Sequence, residues 1–112
     1  MSFTETSHDG MSLIAVAGRI DSATAPACEE YLLARVGDGR PALVIDLGGV
    51  DYISSAGLRV LVLAAKRAMA LGIGFAICQV QDTVAEVLEI SGLGPILGVH
   101  PDPAAAVAAV RG

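Results

Sequence analysis

Residues 43–63, LVIDLGGVDYISSAGLRVLVL, decide how the chain is read. Ala42–Leu47 (ALVIDL) is apolar almost without interruption. A run this short and this apolar is a strand buried on both faces, the centre of a sheet covered by helices. Gly48, Gly49 and Asp51 then suggest a turn, with Val50, Tyr52 and Ile53 still making apolar contacts. From Ser54 or Ser55 a helix is expected to about Leu71, ended by Gly72. Leu58, Leu61, Val62, Ala65 and Met69 recur at helical spacing and define its expected inner stripe.

Outward from this centre the same alternation continues. A first edge-like strand around Phe3 is followed by a turn at His8–Gly10, a strand over Ser12–Ala17 and a stop at Gly18. Asp21, Ser22 or Thr24 can cap a helix over Ala27–Val36, with Pro26 tolerated in its first turn. Tyr31 and Leu32, with Ala27, Cys28 and Val36, are its apolar candidates. Beyond Gly72, Ile73–Val80 reads as another interior strand. Asp82 can cap a short helix from Thr83 to about Ile90 or Ser91, closed by Gly92. Pro95–Val99 fits a last short strand, and Asp102 with Pro103 can start a terminal helix over Ala104–Val110. The fold class expected is α/β, a mixed and mostly parallel sheet of about five strands with four helices. No linker or repeat divides the chain, so residues 1–112 are expected to form one domain.

Composition narrows the function. The hydrophobic fraction is 54% against 17% charged, which favours an ordered core, and aromatics are scarce at 4%. A net charge of -5 with seven scattered Lys and Arg argues against a nucleic-acid partner. The polar start MSFTETSHDGMS has no basic or apolar leader region, and no apolar run reaches the ~20 residues of a membrane span. A cytoplasmic setting without direct membrane insertion is therefore expected. Cys28 and Cys78 form no paired motif and read as buried thiols. With His8 and His100 they make no metal-ligand spacing, so neither metal nor cofactor is expected.

The residues with chemistry to offer follow Ile53. The first turn of a helix has unpaired N–H groups and the positive end of the helix dipole, so an oxyanion there is stabilised. Ser54 or Ser55 can serve as N-cap or as phosphoryl acceptor, and both roles can coexist on neighbouring serines. The small Ala56 and Gly57 leave room for a partner to approach. A hydrolase is not expected: no base is placed beside Ser55, and the G-x-S-x-G elbow is absent. Asp46 and Asp51 do not make a receiver site, because no early acidic pair and no late strand-end Lys accompany them. Neither a P-loop nor a dinucleotide fingerprint occurs.

LVIDLGGVDYISSAGLRVLVLAAKRAMALG, with GRIDSATA before it and EISGLGPIL after it, resembles the STAS domain of bacterial anti-sigma factor antagonists. The resemblance covers nearly the whole chain. VDYISSAGL is similar to that family's phosphorylation loop, commonly Asp-Ser-(Ser/Thr)-Gly-Leu. On that pattern the acceptor serine falls on Ser55, the preceding Asp on Ser54 and the second hydroxyl residue on Ala56. Ser54 is the less favoured acceptor. Asp21 matches an acidic residue of the family's partner-contacting surface, and Ser54, Ser55, Ala56, Gly57, Leu58 and Arg59 make up the rest of the implied contact. The resemblance implies a protein-binding switch and no enzyme. Its implied partners are an ATPase-like anti-sigma factor serine kinase, sequestered by the unphosphorylated domain, and a PP2C-type serine phosphatase that resets it. ATP and magnesium would belong to the kinase. A non-switching STAS interaction module of a lipid-transport or signalling complex is the alternative.

Overall fold

The computed structural model describes residues 1–111. Its elements run β1 (Ser2–His8), β2 (Met11–Ile20), α1 (Ala25–Val36), β3 (Ala42–Ile53), α2 (Ser55–Leu71), β4 (Gly74–Cys78), α3 (Asp82–Ser91), α4 (Gly94–Leu97), β5 (Val99–His100) and α5 (Pro103–Arg111). One sheet holds all five strands in the order β1-β2-β3-β4-β5. Only the β1–β2 hairpin is antiparallel; the other three pairings are parallel.

The expected central strand has alternate side chains in two separate cores, as the pleat requires. Leu43, Ile45 and Leu47 pack with Cys28 and Leu32 of α1, Leu61 of α2, Val84 and Leu88 of α3 and Leu97 of α4. Ala42 and Val44 turn to the opposite face, where Ala106 and Val107 of α5 cover them with Met11, Ala76 and Cys78. With so few aromatics, both cores are built mainly from aliphatic side chains, and Phe3, Tyr31 and Phe75 pack only at the margin of the first.

Several boundaries differ from the sequence reading. β3 does not turn at Gly48–Asp51 but continues to Ile53. Beyond Cys78 its outer edge has no strand partner, and side chains replace one. The Gln81 amide donates to the Gly48 carbonyl at 2.7 Å and the Thr83 hydroxyl to the Asp51 carbonyl at 3.0 Å. β2 likewise runs through Gly18 to Ile20, with register shifts between Ala15 and Arg19. There the strands approach so closely that a Cβ on Gly49 would lie 2.9 Å from the Cβ of Ala17. The inner stripe of α2 is Leu58, Leu61, Ala64, Ala65 and Ala68, with Val60 beside it; Met69 is 72% exposed and Val62 only partly buried. Helix α1 starts earlier than expected, at Ala25, and Ala27 is exposed. Asp82 lies in the first turn of α3 rather than at its cap, which is Gln81. The expected strand over Pro95–Val99 divides into a one-turn helix, α4, and the two-residue β5, giving five helices rather than four. Gly98, at φ +69°, makes the joint between them.

Candidate functional site at the start of the second helix

β2 and β3 are paired in register as far as Ile20 and Ile53, so the segments that leave them emerge side by side. Asp21 follows one and Ser54 the other. The pairing extends one step further, since the Ser54 N–H donates to the Ile20 carbonyl at 2.8 Å. Sheet pairing thus holds the residue from which α2 departs.

The two serines have different surroundings. Ser54 is the N-cap, with extended backbone (φ -91°, ψ 174°), and its hydroxyl accepts the Gly57 N–H at 3.2 Å. Its carbonyl accepts the Leu58 N–H at 2.9 Å, the first helical bond. Ser55 is the first helical residue and is exposed. Among the described residues its hydroxyl has no hydrogen-bond partner. The cap is therefore already supplied by Ser54, and the Ser55 Oγ faces solvent beside the free N–H groups of the first turn. No acidic residue lies in that turn.

Gly57 is what lets the helix begin this close to the sheet. A Cβ there would stand 2.7 Å from Ile20 Cγ2, 2.7 Å from Ile53 Cγ1 and 3.0 Å from the Ile20 carbonyl oxygen. Its missing side chain is used inward, against the core, while Ala56 is half-buried. Leu58 also faces inward, and Arg59 returns to the surface. Of the implied contact residues, Ser55 and Arg59 are the exposed ones, Asp21, Ser54 and Ala56 are half-buried, and Gly57 and Leu58 are buried.

Asp21 folds its own loop. Its Oδ1 accepts the N–H groups of Ala23 and Thr24, each at 3.0 Å, while its own N–H donates to the Thr24 hydroxyl at 2.9 Å. Thr24 occupies the cap position of α1 but makes no side-chain cap bond to that helix. The Thr24 N–H is the main reason the Asp21 carboxyl lies below the ordinary aspartate range; desolvation opposes it, and the Ala23 N–H, the Thr24 hydroxyl and the Arg19 charge add to the lowering. Arg19 approaches the other Asp21 oxygen at 3.7 Å and lies over the Tyr52 ring, 4.2 Å from its centroid. The sequence reading gave Tyr52 only an apolar contact, whereas it is exposed under Arg19, which that reading did not single out. Their partnership depends on the two register shifts in β2, which no local pattern announces. Between the starts of α1 and α2 lies a cleft of about 200 Å³, lined by Ser22, Pro26 and Glu29 on one side and Ala56, Arg59 and Val60 on the other.

Among the described residues neither histidine lies beside Ser55. His8 ends β1 opposite Met11, at the far end of the β1–β2 hairpin from Ile20, and His100 lies in β5 at the other margin of the sheet. Among the described residues no three His, Cys, Asp or Glu side chains gather in a way that could hold a metal. Cys28 and Cys78 are free and buried, in different cores. Desolvation pushes both thiols up to about 11, with the Asp46 and Asp102 charges adding to the effect at Cys78, so they are poor nucleophiles at neutral pH. No helix among the described residues is long and apolar enough to cross a membrane.

Known proteins share this fold. The STAS domain model matches residues 3–106. BtrV of Bordetella bronchiseptica, named as a candidate anti-sigma factor antagonist, is 40% identical over 111 residues, covering 99% of this chain and 96% of its own. The crystal structure of an anti-sigma factor antagonist from Mycobacterium paratuberculosis superposes with a TM-score of 0.91 at 33% identity, covering 99% of this chain and 94% of that one. The Bacillus cell fate determinant SpoIIAA in its phosphorylated form has the same fold, with a TM-score of 0.72 at 16% identity, covering 98% of this chain and all 100% of that one.

Proposed function

The chain belongs to the STAS domain family, in its anti-sigma factor antagonist branch, and from that premise we propose that it is a phosphorylation-regulated binding switch centred on Ser55. STAS domains of this branch are regulatory modules rather than enzymes. In the proposed cycle the unmodified domain binds an ATPase-like serine kinase that also acts as an anti-sigma factor, and so releases the sigma factor. The setting is the cytoplasm. The contact surface comprises Asp21, Ser54, Ser55, Ala56, Gly57, Leu58 and Arg59, of which Gly57 and Leu58 act from beneath by seating the helix.

The observation that carries this reading is the division of labour between the serines. Ser54 caps the helix, which leaves the exposed Ser55 hydroxyl without a structural task. Asp and Ser are comparable N-caps. A serine where the family pattern commonly has Asp therefore keeps the cap and removes only a negative charge beside the acceptor.

The chemistry is phosphoryl transfer on the kinase. The Ser55 Oγ attacks the γ-phosphorus of ATP, the new O–P bond forms as the bond to the β-phosphate oxygen breaks, and ADP leaves. The hydroxyl proton goes to a base of the kinase. Ser55 then carries about -1.5 to -2 charges at neutral pH, on a surface that carried none there before. The kinase loses affinity for its product, and a PP2C-type phosphatase restores the hydroxyl by hydrolysis.

Binding of the kinase to Ser55→Asp and Ser55→Ala chains tests the charge mechanism. Ser55→Asp is expected to bind at least tenfold more weakly than the unmodified chain, a change of about 1.4 kcal/mol. Ser55→Ala should bind like the unmodified chain and resist modification. Equal affinity of all three would leave a non-switching interaction module, in a lipid-transport or signalling complex, as the better reading.

A further inference from the structure

Arg59 stands one helical turn beyond Ser55. Residues four apart on a helix lie on one face with their Cβ atoms about 6 Å apart, and an anion placed N-terminal to the cation is the better orientation. Both side chains are exposed. Among the described residues Arg19, Arg35, Arg40 and Arg111 each have a carboxylate within 4.0 Å, whereas Arg59 and Arg67 do not, and of these two only Arg59 stands near Ser55, four residues along the helix. Arg59 lines the cleft between α1 and α2, where the other charged lining residue is Glu29. The nearby Asp21 carboxylate is otherwise engaged, held by the Thr24 and Ala23 N–H groups and approached by Arg19.

We propose that a phosphate on Ser55 captures Arg59, so that modification withdraws a cation from the docking surface in the same step that adds an anion. This rests on the reading of Ser55 as the acceptor. It adds a second component to the switch. In the unmodified chain Arg59 is available to a partner's carboxylate; in the phosphorylated chain its guanidinium is occupied by phosphate oxygens, an arrangement suited to two parallel N–H···O bonds. The free N–H groups of the α2 first turn favour the same phosphate but cannot be withdrawn from the surface, because they belong to the backbone. Glu29, on the opposite wall of the cleft, is the internal competitor for Arg59.

The test uses the full chain with phosphoserine installed at position 55 during synthesis, without any kinase, so that a kinase that never modifies Ser55 leaves this inference still measurable. Phosphorus NMR follows the second ionisation of the phosphate, near pH 6 in an ordinary phosphoserine. Relative to the chain with Arg59, the titration midpoint in Arg59→Gln should move up by about 0.3 pH units, the equivalent of one helical ion pair. Arg59→Lys should recover part of the shift, since it retains the charge and loses the planar fork. Glu29→Gln should move the midpoint down. The same midpoint with Arg59 and with Gln at this position would assign the phosphate to the helix terminus alone and overturn the inference.

Discussion

Two helices leave the same end of the sheet from neighbouring parallel strands, α2 after β3 and α3 after β4, and they begin in opposite ways. α2 has a side-chain cap, Ser54, and no acidic residue in its first turn. α3 has no side-chain cap bond at Gln81 but carries Asp82 in its first turn. At the third helical position α2 has Gly57, pressed against Ile20 and Ile53, whereas α3 has Val84, fully buried. The helix with permanent negative charge at its start has its cap residue engaged elsewhere, as the Gln81 amide satisfies the β3 edge at Gly48. The helix without charge is held by a neutral cap and by sheet pairing, and it presents a free hydroxyl. A phosphate on Ser55 would supply α2 with what Asp82 gives α3 at all times, and the fold is secured at α2 by means that do not depend on that charge.

The contrast at the third helical position should give the largest effects. Gly57→Ala forces a methyl into two isoleucine side chains and a backbone carbonyl that cannot move aside, at a cost of about 3 kcal/mol. Val84→Ala empties space instead and should cost about 2 kcal/mol. Urea unfolding midpoints check both, and an unperturbed Gly57→Ala protein would show that α2 is not seated as described. Removing the cap comes next. Ser54→Ala leaves the Gly57 N–H without its acceptor and should cost about 1 kcal/mol, with Ser55 still exposed. If Ser55 were the true cap, Ser55→Ala would carry that loss and Ser54→Ala would not.

Charge effects are smaller. Ser55→Asp should raise stability by about 0.5 kcal/mol through the helix dipole, and Asp82→Asn should lower it by a similar amount. Any loss of partner binding in Ser55→Asp would then come from an intact fold. The smallest effect expected is at Asp21. Its carboxyl is lowered in the folded chain, so its stabilising contribution is complete above the ordinary aspartate range and disappears as pH falls through the lowered folded value. Amide signals of Ala23 and Thr24 should report that loosening in an acid titration before the strand amides do. Simultaneous change in both sets would mean that the loop and the sheet open together.

The same comparison shows what local sequence can convey. Continuous apolar character identified Ala42–Leu47 as the central strand, and Gly72 and Gly92 close α2 and α3 at positive φ, as their placement suggested. Such signals are local. The extension of β3 to Ile53 was not legible, because its edge is satisfied by Gln81 and Thr83, about thirty residues away in sequence. Gly49, which reads as part of a turn, is there for close approach to β2, while Gly48 lies against Asp46 and Gln79. The exposure of Met69 follows from a small rotation of α2, which a period of 3.6 residues does not resolve at one end of a helix. At the site, the loop and its serines were legible as a helix start. Which serine caps depended on the pairing of Ser54 with Ile20, a contact between distant segments.

The central claim is that Ser55 is the modified residue and Ser54 the structural one. Incubation of the full chain with the ATPase-like serine kinase proposed as its partner and ATP, followed by intact-mass and peptide mass spectrometry, tests it most directly. The account predicts a single added phosphoryl group located on Ser55, absent from Ser55→Ala and retained in Ser54→Ala. No modification, or modification at Ser54 or elsewhere with Ser55 untouched, would contradict it.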